Sequence, residues 1–136
     1  MPASLRFVLL LSALGIFATP VAIFVIERQD SERARVTAEQ LTGGDVESGS
    51  IAIARYACTA CHEIPGMADA AGKVGPSLAG VAVRTAIAGR LANSPDNMIR
   101  WLRTPQHVAL GNGMPDQGVT EPDARNIAAY LYTLRH

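Results

Sequence analysis

The sequence has a single lysine, Lys73, and only two cysteines, Cys58 and Cys61. Acidic and basic residues are balanced at 12 Asp plus Glu against 12 Lys plus Arg, so no charge excess points to nucleic acid. With no further cysteines, a zinc site would need two more ligands in usable positions. No run alternates with the period of a strand and no internal repeat is present, which leaves an all-helical expectation. The chain also has little room for a core. With its first quarter set apart, its 136 residues leave one domain of about ninety residues, where apolar burial alone is marginal.

What is present begins with Cys58-Thr59-Ala60-Cys61-His62. Two cysteines three apart followed at once by histidine form the attachment site of a c-type haem. Each thiol adds to one vinyl group of the porphyrin, and the short turn between them swings the next side chain under the iron. His62 is then the proximal ligand through Nε2. A redox dithiol and a disulfide are the other readings of such a pair. A thioredoxin-like site wants a strand before the pair and a helix starting there, whereas here a helical pattern runs into it. The expected cofactor is one haem c, attached through Cys58 and Cys61, which supplies the missing core.

The sixth ligand decides the class of function, because an open iron binds gases or peroxide while a second strong ligand leaves electron transfer as the main option. Of four methionines, Met1 is the start, Met67 lies too near His62 to reach the opposite face, and Met98 sits in a helical pattern with Ile99, Trp101 and Leu102 that reads as core. Met114 lies in Gly111-Asn112-Gly113-Met114-Pro115, whose glycines and proline suit an irregular loop from which a thioether can face the iron. His107 is the alternative ligand.

These blocks together resemble a class I cytochrome c over roughly residues 43 to 135. Gly44-Asp45-Val46-Glu47 with Gly49 opens the first helix; Cys58 to His62, Gly75-Pro76-Ser77-Leu78, and Gly113-Met114-Pro115 followed by Ala129-Tyr130-Leu131 complete the pattern. The stretch from Gly49 to Cys58 is a residue longer than in the mitochondrial proteins. The resemblance implies that the Pro76 carbonyl orients the His62 ring, that Leu78 packs on the haem, and that Met114 is the distal ligand. It also implies that Arg84 lies near a haem propionate and Trp101 beside the haem near the methionine. Arg84 to Gly89, Asn93 to Asn97 and Trp101 to Gln106 add a closer similarity to the cytochrome c domains fused to subunit II of some haem-copper oxidases. Here no copper-binding region precedes the domain, which points to an electron carrier or accessory subunit.

Phe7 to Ile26 is twenty residues without a charge, long enough as a helix to span the roughly 30 Å of a bilayer core. We expect residues 1–26 to be a transmembrane anchor or uncleaved signal, 27–44 a polar linker with a helical extension and a flexible break, and 45–136 the cytochrome c domain. A cleaved signal is the alternative, but the apolar run is long and Ala22 after Pro20 is a poor cleavage site. Orientation sets two arguments against each other. Arg28, Arg33 and Arg35 after the span would draw the C-terminus inside. Haem attachment in bacteria takes place outside the cytoplasmic membrane, and this decides for a single-pass protein with its haem domain on the periplasmic or outer side.

Within the domain, Asp45 is placed to cap a helix with the apolar face Val46, Gly49, Ile53 and Ala57. Ser94-Pro95-Asp96 starts a helix that Thr104-Pro105 stops, and Thr120-Glu121-Pro122-Asp123 opens the last one. Gly49 is expected to allow this last helix to cross the first closely, with Tyr130 or Leu131 filling the contact. The expected function is carriage of single electrons from a quinol-oxidising complex or dehydrogenase to an acceptor such as a terminal oxidase, with no small-molecule substrate and no nucleic acid. A permanent haem subunit of a larger membrane redox complex is the alternative, followed by a haem enzyme or a gas sensor.

Overall fold

The computed structural model describes residues 2–68, 70 and 72–136, and the chain divides into two compact units, residues 1–33 and Ala34–His136. Helix α1 (Ala3–Thr42) contributes to both. Its apolar part is the one helix among the described residues long and apolar enough to cross a membrane, and none of it is buried by the rest of the chain. Leu10, Ile16 and Phe17 are each about 70 % exposed, which in water would cost 1.5–3 kcal/mol per side chain and which a lipid environment removes. The helix continues through Pro20, and the Thr19 hydroxyl donates to Gly15 O at 2.7 Å one turn earlier.

The 27–44 segment carries the expected helical extension, but its second half is not a solvated linker. It is helical to Thr42, and from Ala34 onward it belongs to the second unit, where Ala38 and Thr42 are almost wholly buried. Charge pairs and caps explain this. Arg35 pairs with Glu39 at 3.0 Å, Val46 N donates to Glu39 Oε1 at 3.2 Å, and Arg125 Nη1 donates to Thr42 O at 3.1 Å. Alternating signs that read as a solvated linker in one dimension become i,i+4 pairs and a cap for the next helix.

Helix α2 (Val46–Arg55) starts where Asp45 Oδ1 accepts from Ser48 N at 2.7 Å; hydrogen bonding from the Ser48 side chain first, and this backbone bond second, holds the Asp45 carboxyl below its usual range. It ends before Ala57, which was expected on its apolar face but has left-handed backbone, φ 52°; the buried face is Gly49, Ala52 and Ile53. Helix α3 (Pro95–Arg103) has Ser94 as its cap and proline at its first position; α4 (Pro105–Val108) is a single turn; α5 (Glu121–Thr133) is capped by Thr120. Helix α5 crosses α2 at Gly49, where a Cβ would collide with Asn126 O and come within 3.1 Å of Tyr130 Cβ. Ile53, Ile64, Met98, Leu102, Ile127 and Leu131 meet in the core beside this crossing.

The protein is all-α as expected, with one small addition. β1 (Ala86–Ile87) pairs antiparallel with β2 (Leu91–Ala92), the partners being Ala86 with Ala92 and Ile87 with Leu91. Two-residue strands are too short to show a period of two. The turn between them has left-handed Ala88 and Gly89, and Arg90 N donates to Ile87 O at 2.9 Å.

Candidate haem-binding site

Left-handed Ala57 turns the chain out of α2 into a 3-10 turn, Cys58–Ala60, and His62 N donates to Cys58 O at 2.9 Å. Such a backbone costs about 1 kcal/mol for a residue other than glycine, and here it sets the direction in which both thiols leave the helix. The two cysteines are not bonded to each other and are partly buried; burial pushes the Cys58 thiol up from its usual value. They border a cavity of about 460 Å³ with a mostly apolar lining, contributed by α2, α3, α5, the hairpin and the Met114 loop.

His62 Nδ1 lies 2.8 Å from Pro76 O. A carbonyl only accepts, so Nδ1 carries the proton and Nε2 keeps its lone pair, the form in which imidazole binds a metal. The backbone reaches the ring this closely because residue 75 is glycine; a Cβ there would collide with the imidazole. Gly75 N in turn donates to Cys61 O at 2.8 Å, and Leu78 N to Glu63 O at 2.8 Å, so the 75–78 segment is laced to the cysteine turn.

All eight residues expected at the site, Cys58, Cys61, His62, Pro76, Leu78, Arg84, Trp101 and Met114, line this one cavity. Arg84 Nη2 donates to Ser77 O and to Ala79 O, the latter at 2.9 Å, bonds that use one nitrogen of its guanidinium. Met98 also reaches the cavity, from the buried side of α3, whereas exposed His107 does not line it. Two thiols, one imidazole nitrogen and a thioether are the donor set that suits a covalently held iron porphyrin, and the apolar walls suit its ring.

Residues 47–135 match the family model for cytochrome c. The chain belongs to the cytochrome c family. It is a class I c-type cytochrome, and the family carries covalently bound haem c and transfers electrons. This cytochrome c is also 37 % identical over 79 residues to a protein of Alkalihalophilus pseudofirmus named cytochrome c oxidase subunit 2, a match covering 57 % of this chain and 22 % of that protein. The chain thus corresponds to under a quarter of that relative's length. No solved structure matches it.

Three contributors to the site carry no role in the sequence reading. Gly75 is one, because only the folded backbone shows how near the imidazole lies. Gln106 and Asn112 are the others; their amides bond the main chain around Met114, and nothing in their spacing announces those partners. Tyr56, which also lines the cavity, donates to Asp123 at 2.8 Å, and that bond, with help from Thr120 and Arg55, holds the Asp123 carboxyl below its ordinary value.

Proposed function

We propose that this cytochrome c is a membrane-anchored monohaem carrier of single electrons, with Cys58 and Cys61 as the haem attachment points, His62 as proximal ligand and Met114 as distal ligand. The observation that carries the reading is the meeting of two thiols, an oriented imidazole with a free Nε2 and a thioether on one apolar cavity. When bound, haem iron supplies the one-electron couple. The chain's residues set how readily that couple is reduced. The Met114 thioether favours the ferrous state, the apolar lining disfavours the added charge of the ferric state, and the Pro76 carbonyl fixes the tautomer of His62. Exposed Arg84 offers its free donors to the haem carboxylates. Small residues at Thr59 and Ala60 let a redox partner approach the attachment edge closely.

The donor in this reading is a quinol-oxidising complex or dehydrogenase and the acceptor is a terminal oxidase, the latter supported by the similarity to an oxidase subunit. The apolar helix is the anchor, and the haem domain faces the periplasmic or outer side of a bacterial cytoplasmic membrane. A second reading, a permanent haem subunit of a larger redox complex, is favoured by one observation. The chain is similar to a protein named as an oxidase subunit.

Met114→Ala tests the ligand set and with it the choice of electron transfer over open-site chemistry. The variant should lose the weak sulfur-to-iron band in the near-red ferric spectrum, fall in reduction potential and admit carbon monoxide to the ferrous form. If Met98→Ala or His107→Ala does this and Met114→Ala does not, the assignment is wrong.

A further inference from the structure

The segment that carries Met114 has no ladder bonds of its own, and two side-chain amides hold it in place. Gln106, in α4, donates from Nε2 to Asn112 O at 3.0 Å and to Met114 O at 2.7 Å, while its Oε1 accepts from Gly111 N at 3.0 Å. Asn112 donates from Nδ2 to Pro105 O at 2.9 Å and to Ala109 O at 2.7 Å, and its Oδ1 accepts from Met114 N at 2.7 Å. Both backbone polar groups of Met114 are therefore fixed by side chains. The main-chain N of Gln106 donates to Asp116 Oδ1 at 3.1 Å, which fastens the far side of the same loop.

A thioether is a neutral ligand with no charge to hold it at a metal, so its occupancy depends on how little freedom the chain loses on ligation. An unfastened loop would lose about 1–2 kcal/mol of backbone entropy for each residue ordered at that moment. A loop already fixed on both sides of Met114 has lost it on folding. We propose that Gln106 and Asn112 are positioning residues that keep Met114 presented to the cavity and so keep the sixth coordination position closed to outside ligands. The proposal rests on Met114 being the distal ligand.

The test uses the haem-loaded full chain, with carbon monoxide as the probe of the ferrous form. Gln106→Ala and Asn112→Ala are compared with Met114→Ala and with Tyr132→Phe, which removes a 2.8 Å bond to Asn93 Oδ1 away from this loop. Each amide variant should raise apparent carbon monoxide affinity about tenfold, since affinity scales with the fraction of open sites. The effects should combine less than multiplicatively because the two side chains fasten the same loop. Amide hydrogen exchange reads the clamp independently of carbon monoxide: Gly111 should exchange faster in Gln106→Ala and Met114 faster in Asn112→Ala. Faster exchange with unchanged carbon monoxide affinity, or an equal rise in Tyr132→Phe, overturns the proposal while leaving the ligand reading intact. If Met114→Ala itself admits no carbon monoxide, the ligand reading fails and the proposal fails with it.

Discussion

Adding one methyl group at Gly75 should disturb the histidine that the fold presents most carefully. A Cβ at this position would lie 2.6 Å from His62 Nδ1 and 2.9 Å from Nε2, and nearer still to Cε1. Carbon contacts are favourable at about 3.5–4.0 Å, so the ring and the backbone at residue 75 would have to separate by about 1 Å. Overpacking of this kind costs about 1–3 kcal/mol, and stretching the 2.8 Å contact from His62 Nδ1 to Pro76 O forfeits a bond with a net value of about 0.5–1.5 kcal/mol. Together, Gly75→Ala should destabilise the haem-loaded domain by about 2–4 kcal/mol, a fall in Tm of roughly 10–25 °C by calorimetry. The reduction potential should also rise, because a His62 without its carbonyl partner is a less basic ligand. A Tm within about 3 °C of the parent with an unchanged potential would refute the claim that the close approach of residues 75 and 76 sets the histidine.

The end of α1 makes a different kind of test. A secreted form beginning at Asp45 loses the Arg125 bond to Thr42 O, the Glu39 bond to Val46 N and the burial of Ala38 and Thr42, whereas one beginning at Ala34 keeps them. The shorter form lacks residues 34–44 and with them two hydrogen bonds with a net value of about 0.5–1.5 kcal/mol each, so it should be about 1–3 kcal/mol less stable in denaturant unfolding; equal midpoints would show that the helix end is passive. Burial pushes the Tyr132 phenol up to about 12. The unfolded chain therefore releases this proton first, from its ordinary value of 10, and the contribution to stability is fully present below pH 10 and lost as pH rises toward 12. Tyr132→Phe should flatten that alkaline loss; an unaltered slope in pH-dependent unfolding would exclude Tyr132 as its source.

Part of this protein is determined by sequence alone because its signals are local. The cysteine pair with its histidine reads as a haem-attachment motif by bond chemistry, and the uncharged run from Phe7 to Ile26 specifies an apolar helix by length. Asp45, Ser94 and Thr120 start helices through contacts with residues three positions away, so a linear reading finds them. The all-helical class follows from the same periodicity. The end of α2 was less legible: Ala57 fits a helical stripe by spacing, yet the chain turns left-handed there to deliver the cysteines.

Only the tertiary structure decided where the domain begins and what holds its site. Charges along residues 34–42 look like a solvated linker until Arg125, far along the chain, reaches Thr42 O and Glu39 receives Val46 N. Ala86 to Ala92 becomes a hairpin through pairing that two-residue strands cannot advertise. Gly75 stands in the sequence only as one member of the Gly75-Pro76-Ser77-Leu78 block, and its role is the space it leaves for the imidazole. Asn112 reads as part of an irregular loop and Gln106 carries no role, and their importance comes from carbonyls and amides that the folded loop aims at them. Sequence fixes chemistry where bonded neighbours suffice, and the fold decides it where hydrogen bonds and close contacts join residues whose separation along the chain carries no period.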